Sequence, residues 1–560
     1  MLYPLRVALA LIALLLPAAW ASEPAPRPGH AAIASAHHLA TKAGFEVLEA
    51  GGNAFDAAVA VSAALAVVEP ASSGIGGGGF WLLRDASTGR AVMVDGRETA
   101  PMAAHRDLYL DAERRVNRDL AINGPLAAGI PGAAAAWVHI SRRYGRLPLQ
   151  QVLAPAIRLA NNGFAADDKY VALLRGRAGV MKRWPETAAI FMPDGEVPEP
   201  GRIIRQQALA EVLERVARDG HDGFYSGETA RRLVAGVRAA GGIWTLDDLA
   251  GYRVVEREPI VIDHAGYRLI TAPPPSSGGI AIAEVLNLIE PYDWRNMARV
   301  DRVHLLAEAM RRAYRDRALY LGDPDFVQIP VSMLLDPAYA AGMRTTLRMD
   351  RALPSAHLAA NPDRLRESDN TTHFSLIDRD GNMVSATLTI NLPYGAAFVP
   401  PGTGVLLNNE MDDFSAKAGE PNAFGLIGFE ANAIEPGKRM LSSMSPTIVL
   451  GPDRVAILGT PGGSRIISMV LIGILDFLEG HGPDSWVSRP RFHHQYLPDE
   501  ISIEEGALDE AEIAALQARG HRISTRRRWG NMHAVLWDRI TNRLEAASDP
   551  RWSSGSAEVR

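Results

Sequence analysis

The sequence predicts an α+β protein in which β-sheets are covered by helices. Helical periodicity dominates residues 132–321, whereas hairpin patterns rich in Val and Thr follow residue 371. Strands and helices that are segregated in this way along a chain are typical of the class. With 560 residues, 47% of them apolar and 22% charged, the chain can bury a large core, and its length allows two to four domains.

The first 21 residues have the pattern of a secretory signal. Arg6 supplies a positive charge, residues 7–16 an apolar core, and Ala19 to Ala21 a small-residue cleavage site. The apolar run is too short to span a bilayer comfortably, so an uncleaved anchor is the weaker interpretation. We therefore expect export, to a bacterial periplasm most readily or otherwise by secretion, with no stable membrane span after signal cleavage.

Composition excludes several classes of chemistry and partner. The chain has no cysteine, which excludes disulfides, a thiol nucleophile and a Cys-ligated metal. Its net charge is −6, without a dense basic stripe, so no nucleic-acid partner is expected. The three arginines Arg526–Arg528 are more typical of a solvated face than of a binding patch.

The N-terminal part predicts two helices followed by a pair of strands. The first helix, over Ala31–Ala50, ends at a Gly-Gly stop, and Asn53 caps a very apolar second helix over Ala54–Val68. Strands are expected at Phe80–Arg84 and Ala91–Asp95.

Glycines at positions 74, 76 and 79 have the spacing of a dinucleotide-binding motif. That motif requires a strand, then the glycines, then a helix, and here the order is helix, glycines, strand. We therefore reject a nucleotide cofactor, expect no other cofactor, and interpret the glycines as positions of close backbone approach and positive φ.

Six helices are predicted between residues 132 and 321: Ala133–Arg143, Leu149–Asn161, Gln206–Asp219, Thr229–Ala240, Ile280–Ile289 and Val300–Tyr320. A rigid Pro-rich turn over residues 273–279 interrupts them. Residues 351–370 are polar and lack periodicity, which indicates an exposed linker.

A β-hairpin is predicted directly after this linker. Its turn is Asp380-Gly381, where both positions tolerate a positive φ, and its second strand runs from Met383 to Ile390. A cut before Thr371 would fall where no core is harmed. It would leave a threonine whose free α-amine lies beside its own hydroxyl, a self-contained nucleophile and base.

Other segments offer groups that such a nucleophile would need. A second hairpin, Pro446–Leu450 and Val455–Gly459, leads to Gly462 and Gly463 at the start of an apolar helix. Two unhindered N–H groups at a helix N-terminus can stabilise an oxyanion. An ordinary glycine-rich helix start is the alternative.

Charged side chains could bind both ends of an amino acid. Glu410 and Asp413 lie three residues apart and can share a face to hold an ammonium group, while Arg97 is suited to a carboxylate. Surface acids and a surface salt bridge remain the alternatives. The Gly/Pro/Asn-rich residues 415–439 form a candidate lid.

Two further patterns carry no site. His493 and His494 are adjacent, so in a strand they point to opposite faces, and no third ligand lies at a suitable spacing. We therefore expect no metal. The chain also lacks the Gly-x-Ser-x-Gly nucleophile elbow of serine hydrolases.

Nine strings, taken together and in order, resemble the γ-glutamyltranspeptidase family of the N-terminal-nucleophile hydrolases. They cover nearly the whole mature chain: DGRETAP (95–101), PPPSSGG (273–279), LGDPDF (321–326), NTTHFSLIDRDGN (370–382), TLTIN (387–391), LLNNEMDDFSAK (406–417), LSSMSPTIV (441–449), GTPGGSRI (459–466) and PRFHHQ (490–495).

The resemblance implies a fold, a maturation step and partners. The fold is a four-layer αββα sandwich made by two subunits from one precursor, which cleaves itself between Asn370 and Thr371. The large subunit would be residues 22–370 and the small one 371–560, together forming a heterodimer. Glutathione and other γ-glutamyl compounds would be donors, and amino acids or dipeptides acceptors.

The resemblance also implies a role for each matching position. The residues that perform or support the chemistry are Thr371 as nucleophile, Thr389 as its hydrogen-bonding support, and Gly462 and Gly463 as oxyanion donors. The residues that bind the γ-glutamyl group are Arg97, Ser442 and Ser443 at its α-carboxylate, and Asn391, Glu410 and Asp413 at its α-amine.

Two positions depart from parts of the family. Many bacterial relatives carry Gln where this chain has Glu410, and a Tyr is often found in the lid where this chain has Phe424. A glutaryl or cephalosporin acylase of the same fold is the nearest alternative function. Asp413 argues against it, because a glutaryl group brings no ammonium to this acid. A secreted binding protein that is never cleaved is the alternative from another class.

Overall fold

A computed structural model of the chain describes residues 27–358 and 371–560. The expected signal segment and the cleavage residue Asn370 lie outside the described residues. Within those ranges, two large β-sheets lie face to face, and helices cover the outer face of each sheet. The predicted α+β class is confirmed, and its layers are those of an αββα sandwich.

Among the described residues, the first sheet has seven antiparallel strands, which alternate between outward and inward side chains. Trp81 and Leu83 pack against the outer helices, whereas Phe80 and Leu82 face the second sheet. The strands are, in spatial order, Ser556–Val559, Ala32–Ser35, Thr372–Ile377, Met383–Thr389, Gly78–Arg84, Ala91–Gly96 and Val255–Arg257.

The second sheet, over the same described ranges, has six antiparallel strands. Polar contacts join it to the first sheet: the Ser375 hydroxyl donates to the His533 carbonyl at 3.0 Å, and that of Ser385 to the Leu458 carbonyl at 3.1 Å. Its strands are, in spatial order, Arg543–Ser548, His533–Asp538, Arg454–Gly459, Thr447–Leu450, Tyr267–Thr271 and Ile260–His264.

Most described helices form two groups according to the sheet they accompany, whereas Arg118–Ile122 and Glu510–Ala518 pack in two smaller apolar clusters. Those on the side of the first sheet are His38–Glu49, Ala54–Val68, Ala133–Tyr144, Leu149–Asn162, Asp168–Met181, Pro185–Phe191, Gln207–Asp219, Asp222–Tyr225, Gly227–Ala239 and Leu246–Gly251. Those on the side of the second are Gly278–Ile289, Arg299–Tyr320, Val331–Leu334, Pro337–Arg344, Ile466–Leu478 and Pro483–Ser488. Across the part of the chain that is described, no helix has the length and apolarity that a membrane span requires.

Most sequence-predicted elements are confirmed. The apolar helix occupies Ala54–Val68, and Asn53 and Asp56 cap it reciprocally: each side chain accepts the other's backbone N–H, at 3.0 and 3.1 Å. The six helices predicted between residues 132 and 321 are present with ends within two residues of those expected. Both hairpins are also present.

The helix predicted over Ala31–Ala50 is wrong at its start. Ala32–Ser35 is a strand between two others in the first sheet, and the helix begins only at His38. A strand buried on both faces appears in sequence as a short apolar run, which periodicity alone does not distinguish from buried helix. The strands at Val255–Arg257, Ile260–His264 and Tyr267–Thr271 were likewise not predicted, because helical patterns surround them.

The first hairpin turns where expected but with a different geometry. Its loop spans Asp378–Asn382, and of the two predicted turn positions only Gly381 has a positive φ, +89°. A second residue with positive φ is not needed, because the Asp378 side chain holds the turn: it accepts the N–H groups of Asp380 and Asn382 at 3.0 and 2.9 Å. The same carboxylate accepts the Ala54 N–H at 2.9 Å, which ties the turn to the apolar helix.

The glycine-rich segment is a place of close backbone approach, as expected, but the positive φ expected at Gly74, Gly76 and Gly79 is wrong, because none of the three adopts it. A Cβ on Gly76 would lie 2.1 Å from the Leu406 carbonyl oxygen, and one on Gly77 would lie 2.2 Å from that of Thr389. Only glycine fits at this spacing. The segment therefore lets the loop before Glu410 reach the end of the first hairpin.

Candidate active site

Thr371 lies directly before the first hairpin strand and is 4% exposed. Leu388 pairs with Thr372, so the same register puts Thr389 opposite Thr371. The Thr389 hydroxyl accepts the Asn391 N–H at 2.7 Å, which leaves its own proton available for donation. The hairpin thus carries three predicted site residues to one end of the sandwich.

Asn391 is fixed by the loop that leads to Glu410. It has a φ of +74°, a conformation that asparagine tolerates better than most residues. Its side-chain Nδ2 donates to the Asn409 carbonyl at 2.9 Å, and the Asn409 side chain accepts the Leu392 N–H at 3.0 Å. These bonds join the end of the hairpin to the segment that supplies the acids.

Gly462 and Gly463 connect the strand Arg454–Gly459 to the helix Ile466–Leu478. Their φ values are +143° and +55°, which L side chains rarely adopt. A Cβ on Gly463 would lie 2.3 Å from Cδ1 of Phe424, so space also requires a glycine there. Their N–H groups precede a long buried helix, whose dipole suits a developing negative charge.

Arg97 is fully buried and follows the strand Ala91–Gly96. Its Nη1 donates to Glu410, its Nη2 to Asp413 Oδ2 at 2.5 Å, and its Nε to the Met440 carbonyl at 3.2 Å. The guanidinium and the two acids, predicted to serve opposite ends of one ligand, therefore form a single ion cluster.

A third acid lies against the same guanidinium. Glu98 is buried, and its Oε2 lies 3.7 Å from Arg97 Nη1. Neither Glu98 oxygen has a hydrogen-bond partner within residues 27–358 and 371–560. Burial raises the pKa of Glu98 to about 7 and also raises the pKa values of Glu410 and Asp413, against the opposing charge of Arg97.

Ser442 and Ser443 lie just before the strand Thr447–Leu450. The Ser442 carbonyl accepts the Ser277 N–H at 2.8 Å, which fixes the segment. The Ser443 hydroxyl accepts Nη2 of Arg317 at 3.4 Å. Arg317 was not predicted; it is a second buried guanidinium, and burial lowers its pKa to about 10.

Phe424 belongs to the candidate lid and is 4% exposed. Its ring contacts Gly463, as the blocked Cβ position there shows. Its N–H donates to Asn422 Oδ1 at 3.0 Å, while Asn422 Nδ2 donates to Asp413 Oδ1 at 3.1 Å. Asn422, another residue that the sequence did not single out, thus links the lid to the ion cluster.

These groups line one cavity, here called the first cavity. Of the predicted site residues, its walls include Arg97, Thr371, Thr389, Asn391, Glu410, Asp413, Phe424, Ser442, Ser443 and Gly463. Arg317 lies among them. Gly462 lines a neighbouring cavity, the second cavity, which also reaches Thr371.

One group of side chains in the described ranges has metal-ligand spacing, and it lies outside both cavities. Asp476, Glu479 and His481 bring ligand atoms within 4.8 Å of one another. Nη1 of Arg489 bonds to Asp476 and lies 3.2 Å from Glu479, so a guanidinium already occupies the position that a cation would take.

Comparison with known proteins gives consistent results. The model of the family described as gamma-glutamyltranspeptidase matches residues 40–559. The chain is 43% identical to a glutathione hydrolase proenzyme of Pseudomonas sp. (strain A14), covering 94% of this chain and 93% of the relative. It is 39% identical to the acylase ACY 1 proenzyme of Pseudomonas sp. (strain SE83), covering 90% and 89%.

A solved structure is similar over the same extent. The cephalosporin acylase from Bacillus halodurans superimposes with a TM-score of 0.83 at 29% sequence identity, covering 95% of this chain and 96% of that one. Proteins named as glutathione hydrolase and as acylase are therefore both similar to this chain over nearly its whole length. The family match and the identity over nearly the whole length establish that this chain belongs to the γ-glutamyltranspeptidase family of N-terminal-nucleophile hydrolases.

Proposed function

We propose that the protein hydrolyses glutathione and related γ-glutamyl compounds and transfers their γ-glutamyl group to amino acids or dipeptides. One observation carries the proposal: a single cavity connects Thr371 to a buried cluster of guanidinium and carboxylate groups. Opposite charges side by side complement the two charged groups of an α-amino acid. Similarity to glutathione hydrolase proenzymes supports the same substrate class.

Substrate recognition would use the three acids that surround Arg97. Glu98, Glu410 and Asp413 surround Arg97, with Arg317 as the second buried cation. An incoming ammonium would bind at the acids, and the α-carboxylate at Arg97, Ser442 and Ser443. Since each guanidinium has five N–H donors, the arginines can bind the ligand while they keep part of their present contacts.

Maturation would precede catalysis. The Thr371 hydroxyl would attack the Asn370 carbonyl, shifting the acyl group from nitrogen to oxygen, and water would then hydrolyse the ester. This leaves a large subunit of residues 22–370 and a small subunit that begins at Thr371. The products are an Asn370 carboxylate and a free Thr371 α-amine, the base that the next step needs.

Catalysis would then proceed through an acyl-enzyme. The α-amine, whose reference pKa is ~7.7–8.0, takes the Thr371 hydroxyl proton as the oxygen attacks the γ-carbonyl carbon. Gly462 and Gly463 N–H groups stabilise the oxyanion, and the α-amine returns the proton to the leaving nitrogen as the C–N bond breaks. Water or an amine then attacks the ester, and its proton passes through the α-amine to the threonine oxygen.

An acylase with a glutaryl donor remains the second candidate, because relatives with acylase names cover most of the chain. The argument that Asp413 would face no cation in such an enzyme is wrong, since Arg97 already lies 2.5 Å from it. Burial replaces that argument: it raises the pKa values of Glu98, Glu410 and Asp413, and a ligand ammonium would stabilise their charged forms, whereas a glutaryl group would not.

The deciding experiment uses the purified full chain. We expect mass spectrometry to find a new N-terminus at Thr371 instead of a single chain that is uncut at this position. γ-Glutamyl-p-nitroanilide should be cleaved at least about tenfold faster than glutaryl-p-nitroanilide, because one charge-assisted contact is worth ~1.5–3 kcal/mol. Preference for the glutaryl compound would establish the acylase instead. An intact chain without turnover would indicate a binding protein.

Export completes the proposal. Cleavage after Ala21 would leave Ser22 as the first residue of the large subunit, and a bacterial periplasm is the destination that we favour. N-terminal sequencing of the large subunit from fractionated cells tests this. A cytoplasmic large subunit that retains the apolar residues 7–16 would contradict it.

A further inference from the structure

The second cavity meets the first at Thr371 but is built from other segments. Its remaining lining comes from one helix and three loops: Lys169, Leu173, Pro461, Gly462, Arg528, Trp529, Gly530, Asn531 and Trp552. Gly463 lines the first cavity and Gly462 the second. An acyl carbon bound to Thr371 would therefore have the γ-glutamyl cavity on one side and this cavity on the other.

Asn531 is the clearest indication that the second cavity receives a ligand. Its side chain is 1% exposed, and its backbone N–H donates to the Thr460 hydroxyl at 3.2 Å. Neither Oδ1 nor Nδ2 has a hydrogen-bond partner in the described part of the chain. A buried amide without partners costs ~1–3 kcal/mol, so a ligand that supplies both a donor and an acceptor would be favoured here.

The charge of the lining narrows the chemistry of that ligand. Lys169 and Arg528 both line the cavity, and no Asp or Glu of the described ranges lines it. Nζ of Lys169 bonds to Glu69, which does not line the cavity. The same Nζ lies 5.9 Å from the ring centroid of Trp552. Arg528 is exposed and forms no hydrogen bond or ion pair with any described residue. The unmatched positive charge favours an anion.

We propose that the second cavity binds the amine side of the reaction, both the leaving group of the donor and the acceptor, through a free carboxylate. This inference rests on the proposed function and adds the residues that would select the acceptor. Arg528 and Asn531 Nδ2 would donate to the carboxylate, while Asn531 Oδ1 would accept from an amide or ammonium N–H of the same ligand. The acceptor nitrogen would then face the acyl carbon at Thr371.

Acceptors that differ only in the carboxylate test this. With γ-glutamyl-p-nitroanilide as donor, transfer is measured to glycylglycine and to glycylglycinamide. We expect the wild-type kcat/KM for glycylglycine to exceed that for the amide by about tenfold, the value of one charge-assisted hydrogen bond. This ratio of the two acceptors is the readout for the variants.

Two variants and a matched control follow from the lining. Arg528→Gln should bring the acceptor ratio close to one, mainly through a higher KM for glycylglycine. Asn531→Ala should raise KM for both acceptors, because its carbonyl oxygen and its amide nitrogen both contact the ligand. Arg527→Gln removes the same charge one residue away, from a side chain that does not line the cavity, and should keep the wild-type ratio.

The possible failures are distinguishable. A wild-type ratio near one, or equal ratios for Arg528→Gln and Arg527→Gln, would overturn the inference while donor hydrolysis persists. Arg528 is exposed, so its variant tests the proposal even if Asn531→Ala does not fold. No release of p-nitroaniline by the wild-type protein would overturn the proposed function, and the inference with it.

Discussion

The two cavities at Thr371 differ in how far their polar groups are satisfied before a ligand arrives. In the first, Arg97 donates from Nη1, Nη2 and Nε to fixed oxygens, and Asn422 links the lid to the same cluster. Among its described lining residues, Oε2 of Glu410 is the one buried side-chain atom without a hydrogen-bond partner. In the second, the Asn531 amide lacks partners among the described residues. The difference indicates a donor side that is organised in advance and strict in its choice, and an amine side that becomes complete only with a ligand.

Loss of the nucleophile should disable both sides at once. Thr371→Ala is expected to remain one chain, uncut before residue 371, and to show no turnover, because both cleavage and catalysis use the same hydroxyl. Denaturing electrophoresis and p-nitroaniline release measure this. Thr371→Ser is the matched control, since it keeps a hydroxyl and should still be processed. A processed Thr371→Ala protein would contradict the mechanism.

A methyl group added at Gly463, next to Gly462 where the two cavities meet, should strongly reduce the rate of catalysis. In Gly463→Ala the new Cβ would lie 2.3 Å from the Phe424 ring on a backbone with φ of +55°, so the N–H or the lid must shift. We expect kcat to fall by about 10²-fold, near the cost of one lost oxyanion donor. Gly480→Ala is the control: φ is +94°, with nothing within 4 Å. Equal losses in both variants would assign the effect to backbone strain.

Removal of one acid should separate the two cavities. Asp413→Asn keeps the shape but takes a charge from Arg97, so kcat/KM for γ-glutamyl-p-nitroanilide should fall about 10- to 100-fold, with a smaller loss for the glutaryl compound. The acceptor carboxylate ratio should not change. Asp412→Asn is the neighbouring control, because Asp412 accepts the Ala423 N–H and does not line the cavity. A parallel loss for both donors would contradict ammonium recognition by Asp413.

The smallest expected effect concerns Glu98. Burial raises its pKa from the ordinary 4.5 to about 7, so the folded chain holds a proton that the unfolded chain has lost between these values. Its contribution to stability therefore falls as pH rises through that window. Glu98→Gln should raise Tm by about 1–2 °C at pH 8 and change it little at pH 4. Thermal unfolding at both pH values measures this, and an equal shift at both would exclude titration of Glu98.

The sequence predicted the parts of the site that local patterns report. Asn53 predicted the start of a helix, and Asp380-Gly381 predicted the turn of a hairpin. The family resemblance of the quoted strings predicted that Arg97 and Asp413 serve the same nucleophile. Each of these depends on neighbours along the chain or on a family pattern, which sequence contains directly.

Other features had no such signal. Arg317 is one of six arginines in its helix, and only tertiary packing determines that its side chain lines the first cavity. Asn531 becomes informative only through the partners that its amide lacks. Ala32–Ser35 became a strand because two others flank it, an environment that its four residues do not reveal.

The order of strands in the first sheet determines what a cut before Thr371 would do to the molecule. Ala32–Ser35 lies between Ser556–Val559 and Thr372–Ile377, so a strand of the proposed large subunit is held on both sides by strands of the small one. Gly78–Arg84 extends the same sheet from the other edge of the hairpin. A severed chain would therefore stay one cooperative unfolding unit, purifying as a stoichiometric pair that only denaturant separates, although it has no cysteine to join its halves.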